Sequence, residues 1–213
     1  MTTMNANPLL DFSGLPRFDQ FKPEHVTPAI DELIAKASEV VASLEAPSEH
    51  VTWENFVMPL EESTERLGRA WGIVNHLNNV ADTPELRAAY NENLPKVTEF
   101  WTALAQNEAL FAKYKAIAAS PEFASLSDAR KKLVGNAVRD FRLGGADLPA
   151  DRKQRFAEIQ EQQAAVSTRF SENVLDATND YKLLVDSEAD LAGVPDDVKQ
   201  AARAAAEADG KAG

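Results

Sequence analysis

The side chains best suited to metal chemistry in this sequence are its three histidines, His25, His50 and His76. A helical zinc motif, H-E-x-x-H, needs two histidines four residues apart, and the 213 residues contain no such pair. His25 and His50 have the acids Glu24 and Glu54 nearby, but a zinc site needs three or four convergent ligands. The sequence therefore predicts that this chain supplies no metal ligand.

Other catalytic arrangements are also missing from the sequence. The chain has no cysteine, so it offers neither a thiol nucleophile nor a thiolate ligand. Its 34 Asp and Glu residues invite an acid–base pair, yet nothing in their spacing brings two of them to an electrophile, and a solvated surface explains them. No glycine-rich phosphate loop occurs. We therefore expect no catalytic residue among these positions.

A polar cluster near the end of an apolar helical pattern holds the two candidate binding residues. It reads Asn75-His76-Leu77-Asn78-Asn79. In one interpretation, His76 and Asn78 contact a bound peptide or a facing lobe of the protein. In the other, the histidine and the asparagines satisfy the last carbonyl groups of the helix. The sequence leaves both interpretations open.

The overall composition narrows the classes of function. The formal net charge is −12 and the pI is about 4.7. Because an acidic surface repels phosphate backbones and anionic lipids, we expect neither nucleic-acid binding nor membrane binding. Residues 1–8 lack a basic segment followed by an apolar stretch, and no long uncharged apolar run occurs elsewhere. Together with the absence of cysteine, these features predict a cytoplasmic location.

Helical periodicity runs through almost the whole chain and predicts an all-α fold. The segment Thr83-Pro84-Glu85 is a typical helix start, with a cap, a proline at the first position and an acid in the first turn. Further start signals lie at Thr27, Thr52, Asn107, Ser120, Ser127 and Pro195. Trp53, Trp71 and Trp101 could line a channel, but their spacing with other apolar residues favours core packing.

The longest helical pattern follows Pro149 and extends to about residue 179. Its apolar line has the 3-4-3-4-4 spacing of a heptad seam and consists of Phe156, Ile159, Gln163, Val166, Phe170 and Val174. Gly144-Gly145 is a strong stop for the helix before it. We therefore expect a long antiparallel helical hairpin that turns at these glycines.

The C-terminal part breaks the helical pattern once. Tyr181-Lys182-Leu183-Leu184-Val185 has the composition of a strand, so the all-α fold would contain at most one short β-strand, at 181–185. We expect a single helical domain over 1–213, with 181–213 as an incomplete subdomain. A strand without a partner leaves unpaired backbone groups, so we expect this part to be the least stable.

Several strings, taken in order, carry a resemblance to a known family. They are Asn7-Pro8-Leu9-Leu10, Lys22-Pro23-Glu24-His25, Thr52-Trp53-Glu54-Asn55, Asn75-His76-Leu77-Asn78, Thr83-Pro84-Glu85-Leu86 and, most specifically, the stretch from Asn136-Ala137-Val138-Arg139-Asp140-Phe141 to Asn173-Val174-Leu175-Asp176-Ala177-Thr178. Together they cover nearly the whole chain. They resemble the oligopeptidase A-like branch of the thimet oligopeptidase and neurolysin family of zinc metallopeptidases.

The resemblance implies that this chain is the N-terminal lobe of such a peptidase. In the family, two helical lobes face each other across a deep, narrow channel, with zinc on the floor of the C-terminal lobe. Because the family's zinc ligands lie beyond Gly213, the resemblance implies Zn in the longer protein and none in this chain. The implied partners are the protein's own C-terminal catalytic lobe and short peptides. The implied role is to wall the channel and keep folded proteins from the metal.

A second interpretation is a non-catalytic helical peptide-binding or scaffold module that kept only this lobe. A reading frame that continues past Gly213 into an H-E-x-x-H helix would favour the peptidase, whereas a natural stop would favour the module. In both cases we expect the 213-residue chain alone to hydrolyse no peptide.

Overall fold

The structure, a computed structural model, describes residues 7–211; residues 1–6, where we saw no secretion signal, and 212–213 lie outside the described part. Residues 7–211 form eight α-helices and no strand, which confirms the all-α prediction. The helices are α1 (Val26–Glu45), α2 (Met58–Val80), α3 (Pro84–Ala105), α4 (Glu108–Ala118), α5 (Pro121–Ser125), α6 (Asp128–Leu143), α7 (Ala150–Asp180) and α8 (Asp196–Ala208). None of these helices is both long and apolar enough to cross a bilayer.

Side-chain caps begin several of the helices where the sequence predicted them. The Thr83 hydroxyl accepts a hydrogen bond from the backbone N–H of Leu86 at 3.2 Å. The side-chain oxygen of Asn107 likewise accepts from the N–H of Leu110 at 3.0 Å. Such caps satisfy N–H groups that have no partner within the helix.

The predicted cap at Thr27 is wrong. A short 3₁₀ turn, Pro23–His25, runs directly into α1, which begins at Val26 with His25 as its N-cap residue. Thr27 therefore lies inside the helix, where its hydroxyl accepts from the side-chain N–H of Asn93 at 2.7 Å. Asn93 lies on α3 and is fully buried. The threonine thus joins two helices instead of starting one.

The first core cluster joins α1, α2 and α3. α1 packs against both of the other helices. The buried members are Leu9, Val26, Ala29, Ile30, Leu33, Leu67, Ala70, Val74, Leu86, Tyr90 and Val97. Trp71 stacks on Tyr90, with ring centroids 4.8 Å apart. Apolar side chains from all three helices therefore form this core.

The second core cluster lies where α4 packs against α6 and against the π-helical turn Trp53–Val57 that precedes α2. Its buried members are Trp53, Phe56, Val57, Leu60, Leu110, Phe111, Tyr114, Ile117, Leu126, Val134, Phe141 and Ala146. Phe141 of α6 stacks on Phe111, with centroids 5.9 Å apart. The apolar face of α6 is thus occupied by α4.

The turn after α6 lies at the two glycines, as the sequence predicted. Gly145 has φ of 99°, and the N–H of Ala146 donates to the carbonyl of Phe141 at 2.9 Å, which closes the helix end. A Cβ on Gly144 would lie 2.5 Å from that of Ala105. Gly145 therefore provides the left-handed backbone, and Gly144 allows the close approach to α3.

The apolar seam of α7 is exposed to solvent. α7 is continuous through Ile159, as expected, but it contains no buried side chain. Within the seam, the exposed fraction rises from 44% at Ile159 to 68% at Val166 and 69% at Phe170. The physical reason is that α6 buries its apolar face on α4, so that face is not available to cover the seam.

The strand expected at 181–185 is absent, and residues 181–187 take no regular secondary structure. A strand needs a partner, and the described residues offer none to Tyr181 or Leu183, whose side chains are exposed. The chain divides into two compact units, the first reaching Val166 and the second beginning at Ser167. A single domain over 1–213 with an incomplete part from 181 stays a prediction.

Candidate functional site

The predicted polar cluster lies in the last turns of α2. The N–H of Ala81 ends the helix by donating to the carbonyl of Leu77 at 2.8 Å. The side-chain N–H of Asn79 donates to the carbonyl of Asn75 at 2.6 Å, and the Asn75 side chain accepts from the Tyr90 hydroxyl at 3.2 Å. Asn79 therefore makes the kind of contact that the capping interpretation describes, whereas the Asn75 side chain joins α2 to α3.

His76 and Asn78 do not form a joint site. They are two residues apart on a helix, and side chains at that spacing leave different faces. His76 is exposed, and its ring lies 5.8 Å from that of Phe18. The side-chain oxygen of Asn78 is shielded from solvent and has no hydrogen-bond partner within the described residues. Asn78 is thus the member of the pair with unused bonding capacity.

The other two histidines take part in hydrogen bonds within their own segments, His25 through its ring and His50 through its backbone carbonyl. The side-chain nitrogen Nδ1 of His25 accepts from the N–H of Lys22 at 3.1 Å, and the carbonyl of His50 accepts from the Asn55 side chain at 3.0 Å. Across residues 7–211, no group of three or more His, Asp or Glu side chains is close enough to hold a metal ion. The described residues therefore do not fit a zinc site.

One feature suited to binding is a groove of about 670 Å³ that we call the Trp101 groove. Helices α2, α3, α4 and α6 line it. Its apolar lining includes Trp101, Leu104, Tyr114 and Phe141, and its charged lining consists of Glu61, Glu65, Arg69 and Asp140. An apolar lining with a few polar groups is typical of ligand-binding pockets.

The charges of the Trp101 groove leave one carboxylate without a cation. Arg69 pairs with Glu65 at 2.5 Å, and Arg139 pairs with Asp140 at 2.7 Å. Glu61 accepts from the Tyr114 hydroxyl at 3.1 Å and makes no ion pair with any described residue. The groove is therefore suited to an apolar group that carries a positive charge.

Tyr114 is held as a hydrogen-bond donor in this groove. Burial, followed by the charge of Glu61 and the hydrogen bond to it, raises the pKa of Tyr114 above its ordinary value of 10.0. The hydroxyl therefore keeps its proton and keeps donating to the carboxylate at neutral pH. This arrangement orients Glu61 and provides neither a nucleophile nor a base.

Sequence reasoning did not find this groove. The expected core packing holds for Trp53, which is buried, and for Trp71 and Trp101, which are half-buried against the first core cluster; Trp101 also lines the groove. One signal was available, because Gly68 lies inside α2, where glycine costs about 1 kcal/mol relative to alanine. A Cβ at Gly68 would lie 4.0 Å from the Trp101 ring, so the glycine widens the groove.

Comparison with known proteins places this helical domain in a family. Residues 30–153 match the model of the neurolysin/thimet oligopeptidase N-terminal domain, and the chain belongs to this family. The resemblance read from the sequence is thereby confirmed.

Three similar relatives illustrate the family. The chain is 44% identical to oligopeptidase A of Haemophilus influenzae over 209 residues, which cover 98% of this chain and 30% of the relative. It is 42% identical to oligopeptidase A of Escherichia coli over 203 residues, which cover 95% of this chain and 30% of the relative. It is 38% identical to a probable cytosolic oligopeptidase A of Arabidopsis thaliana over 193 residues, which cover 91% of this chain and 27% of the relative. The chain thus spans about 30% of the length of the bacterial relatives.

Proposed function

We propose that this chain is the N-terminal lobe of a cytoplasmic zinc metallopeptidase that hydrolyses short peptides. The observation that carries the proposal is the 44% identity, over nearly the whole chain, to a protein named oligopeptidase A. The name of the Arabidopsis relative, which includes the word cytosolic, supports the location. The net charge of −12 supports peptides, and not nucleic acid or membranes, as partners.

In this proposal the lobe restricts access and the reaction takes place elsewhere. Zinc would be bound by residues outside this chain, because the described residues do not fit a zinc site. The partner of the lobe would be the C-terminal catalytic lobe of the same protein. His76 and Asn78 remain candidates for contacting a peptide or that lobe, with Asn78 offering an unused hydrogen-bond acceptor.

A hydrolysis assay with a quenched fluorogenic peptide tests where the chemistry lies. We expect no turnover by the purified 213-residue chain, with or without added Zn²⁺. The product of the complete reading frame should cleave the peptide, lose activity with a chelator and regain it with Zn²⁺. Chelator-sensitive turnover by the chain alone would overturn the proposal that the metal ligands lie outside it.

The size of the substrate tests the role of the lobe. We expect the product of the complete reading frame to hydrolyse short peptides and to leave a folded protein intact, because a walled channel admits only narrow substrates. Comparable cleavage of a folded protein would contradict the proposed restriction of access.

A second function, binding of peptides without catalysis, is favoured by the Trp101 groove. Its apolar lining and its unpaired Glu61 suit a peptide with an aromatic and a basic side chain. We expect the chain alone to bind a short peptide that contains Phe and Arg more tightly than the same peptide with Glu in place of Arg.

Two glycines of α2 supply the variant and its control for this binding experiment. Gly68→Leu places a side chain in the groove next to Trp101, whereas Gly72→Leu, one helical turn later, extends into open space. Calorimetric titration should show weaker binding for Gly68→Leu and unchanged binding for Gly72→Leu. If both variants bind as the unmodified chain does, the groove is not the peptide site.

A further inference from the structure

The longest helix of the described chain, α7, has an apolar side that is exposed to solvent. The seam of α7, from Phe156 to Val174, keeps Ile159, Val166, Phe170 and Val174 exposed to solvent. Isolated exposed apolar residues are common on protein surfaces, but contiguous ones mark interaction sites. Four large exposed apolar side chains along one helix therefore indicate a surface that binds another protein segment.

The seam follows one side of α7. At about 100° per residue, its six positions fall within a narrow arc of the helix, and only Gln163 among them is polar. The opposite side carries positions 154, 161 and 165, which are occupied by Gln, Glu and Ala. This 3-4 spacing is the pattern that packs against another helix by inserting knobs into holes. The missing partner is therefore expected to be helical.

Charge argues against a second copy of this chain as the partner. Each copy carries a net charge of −12, so two copies repel each other. The length of the relatives points to a different partner, because the chain covers only 30% of the Haemophilus influenzae and Escherichia coli oligopeptidases A. More than two thirds of each relative is thus sequence that has no counterpart in this chain.

We propose that the seam of α7 is the docking surface for an amphipathic helix in the part of the family's sequence that this chain does not contain. The proposal rests on the proposed function, since it takes the chain to be one lobe of a longer peptidase. It assigns the contact between lobes to a defined surface. The seam would be buried in the longer protein and would contribute no chemistry.

Thiol accessibility measures this burial directly, because the chain has no cysteine of its own. We would compare the chain alone with a chimera in which it replaces the matched 30% of the Haemophilus influenzae relative. Phe170→Cys probes the seam, and Ala165→Cys probes the opposite side. The added thiol at residue 170 should react about tenfold more slowly, or slower still, in the chimera than in the chain, whereas residue 165 should react equally in both.

A pair of charge substitutions gives an independent measurement. Val166→Glu with Phe170→Glu places two charges in the seam, and Gln154→Glu with Ala165→Glu places glutamates at two positions on the opposite side. Neither pair should change the melting temperature of the 213-residue chain, because none of these four side chains is buried. In the chimera, only the seam pair should lower it.

The outcomes separate the docking surface from the peptidase assignment. Equal reactivity of residue 170 in the chain and in the chimera, or equal melting temperatures for the two variant pairs in the chimera, would overturn the docking surface. Protection of residue 170 that grows with the concentration of the chain alone would overturn it in favour of a dimer. A chimera that protects residue 170 but hydrolyses no peptide would support the docking surface and count against the peptidase.

Discussion

In α1 to α4 and α6, the apolar stripe of each helix is buried against a neighbouring element, whereas α7 and α8 contain no buried side chain. We call α1 to α4 and α6 the first region, and α7, α8 and the segment between them the second region. The sequence predicted a helix at each of these places, and each helix forms. The comparison shows that helix formation and core formation are separate requirements. Good helix formers such as Ala, Glu and Gln favour the helical conformation in α7 and α8, but most helical stability in proteins comes from packing an apolar face.

The two regions also differ in the polar contacts that join their segments. In the first region a buried amide, that of Asn93, joins α1 to α3 through Thr27. In the second region an exposed ion pair joins Lys182 to Asp209 at 2.5 Å. Exposed ion pairs contribute little to stability, so this pair adds little to the stability of the second region. Each of the following predictions tests one part of this contrast.

Hydrogen exchange should show the largest difference. In the 213-residue chain we expect amides in α1 and α2 to exchange about a thousandfold more slowly, or slower still, than those after Ser167, since buried helices open only with the whole core. The sequence had placed the start of the unstable part at Tyr181, and the exposed seam now moves it into α7. Mass spectrometry of exchanged peptides measures the exchange rate in each region. Equal protection in both regions would contradict the contrast in packing between them.

Truncation of one apolar side chain in each region should show the next largest difference. Leu67→Ala removes a fully buried side chain from the first core cluster and should lower the free energy of unfolding by about 2–5 kcal/mol. Val174→Ala removes an exposed side chain of the seam and should change it by less than about 0.5 kcal/mol. Urea titration followed by circular dichroism measures both. A large loss for Val174→Ala would show that the seam is covered in the chain itself.

Alkaline pH should separate a buried tyrosine from an exposed one. Because burial and Glu61 raise the pKa of Tyr114 above 10.0, the folded chain keeps this proton while the unfolded chain loses it. The contribution to stability is complete below pH 10 and falls above it by about 1.4 kcal/mol per pH unit.

Two phenylalanine variants isolate this contribution. Tyr114→Phe should make the free energy of unfolding fall less steeply above pH 10 than in the unmodified chain. Tyr181→Phe, at an exposed position of the second region, should leave the slope unchanged. Identical slopes for all three proteins in urea titrations between pH 9 and pH 11 would contradict the role assigned to the Tyr114 environment.

Removal of one ion pair in each region should show the smallest difference in the free energy of unfolding. Asp82 pairs with Arg87 at 2.6 Å with both side chains largely shielded, whereas the Lys182–Asp209 pair is exposed. Asp82→Asn should lower the free energy of unfolding by about 1–2 kcal/mol, because hydrogen bonds to charged groups are the stronger ones. Asp209→Asn should cost less than about 0.5 kcal/mol. The reverse order in urea titrations would mean that the second region is held by its surface charges.

Much of the local structure could be predicted because its causes are local. The caps at Thr83 and Asn107 and the stop at Gly144-Gly145 depend on contacts within a few residues. The role of Thr27 could not be predicted, because its partner Asn93 is 66 residues away along the chain. The Trp101 groove was missed for the same reason, since four helices contribute to its lining.

By itself, the sequence determined the all-helical content, most helix boundaries, the family and the lack of a zinc motif, because these depend on residue type and short-range spacing. Only the tertiary structure decided which apolar stripes are covered. α6 and α7 both carry an apolar stripe, yet α6 is buried on α4 and the seam of α7 is exposed. The physical reason is that periodicity shows which side of a helix is apolar, but a stripe is buried only where a complementary surface lies against it.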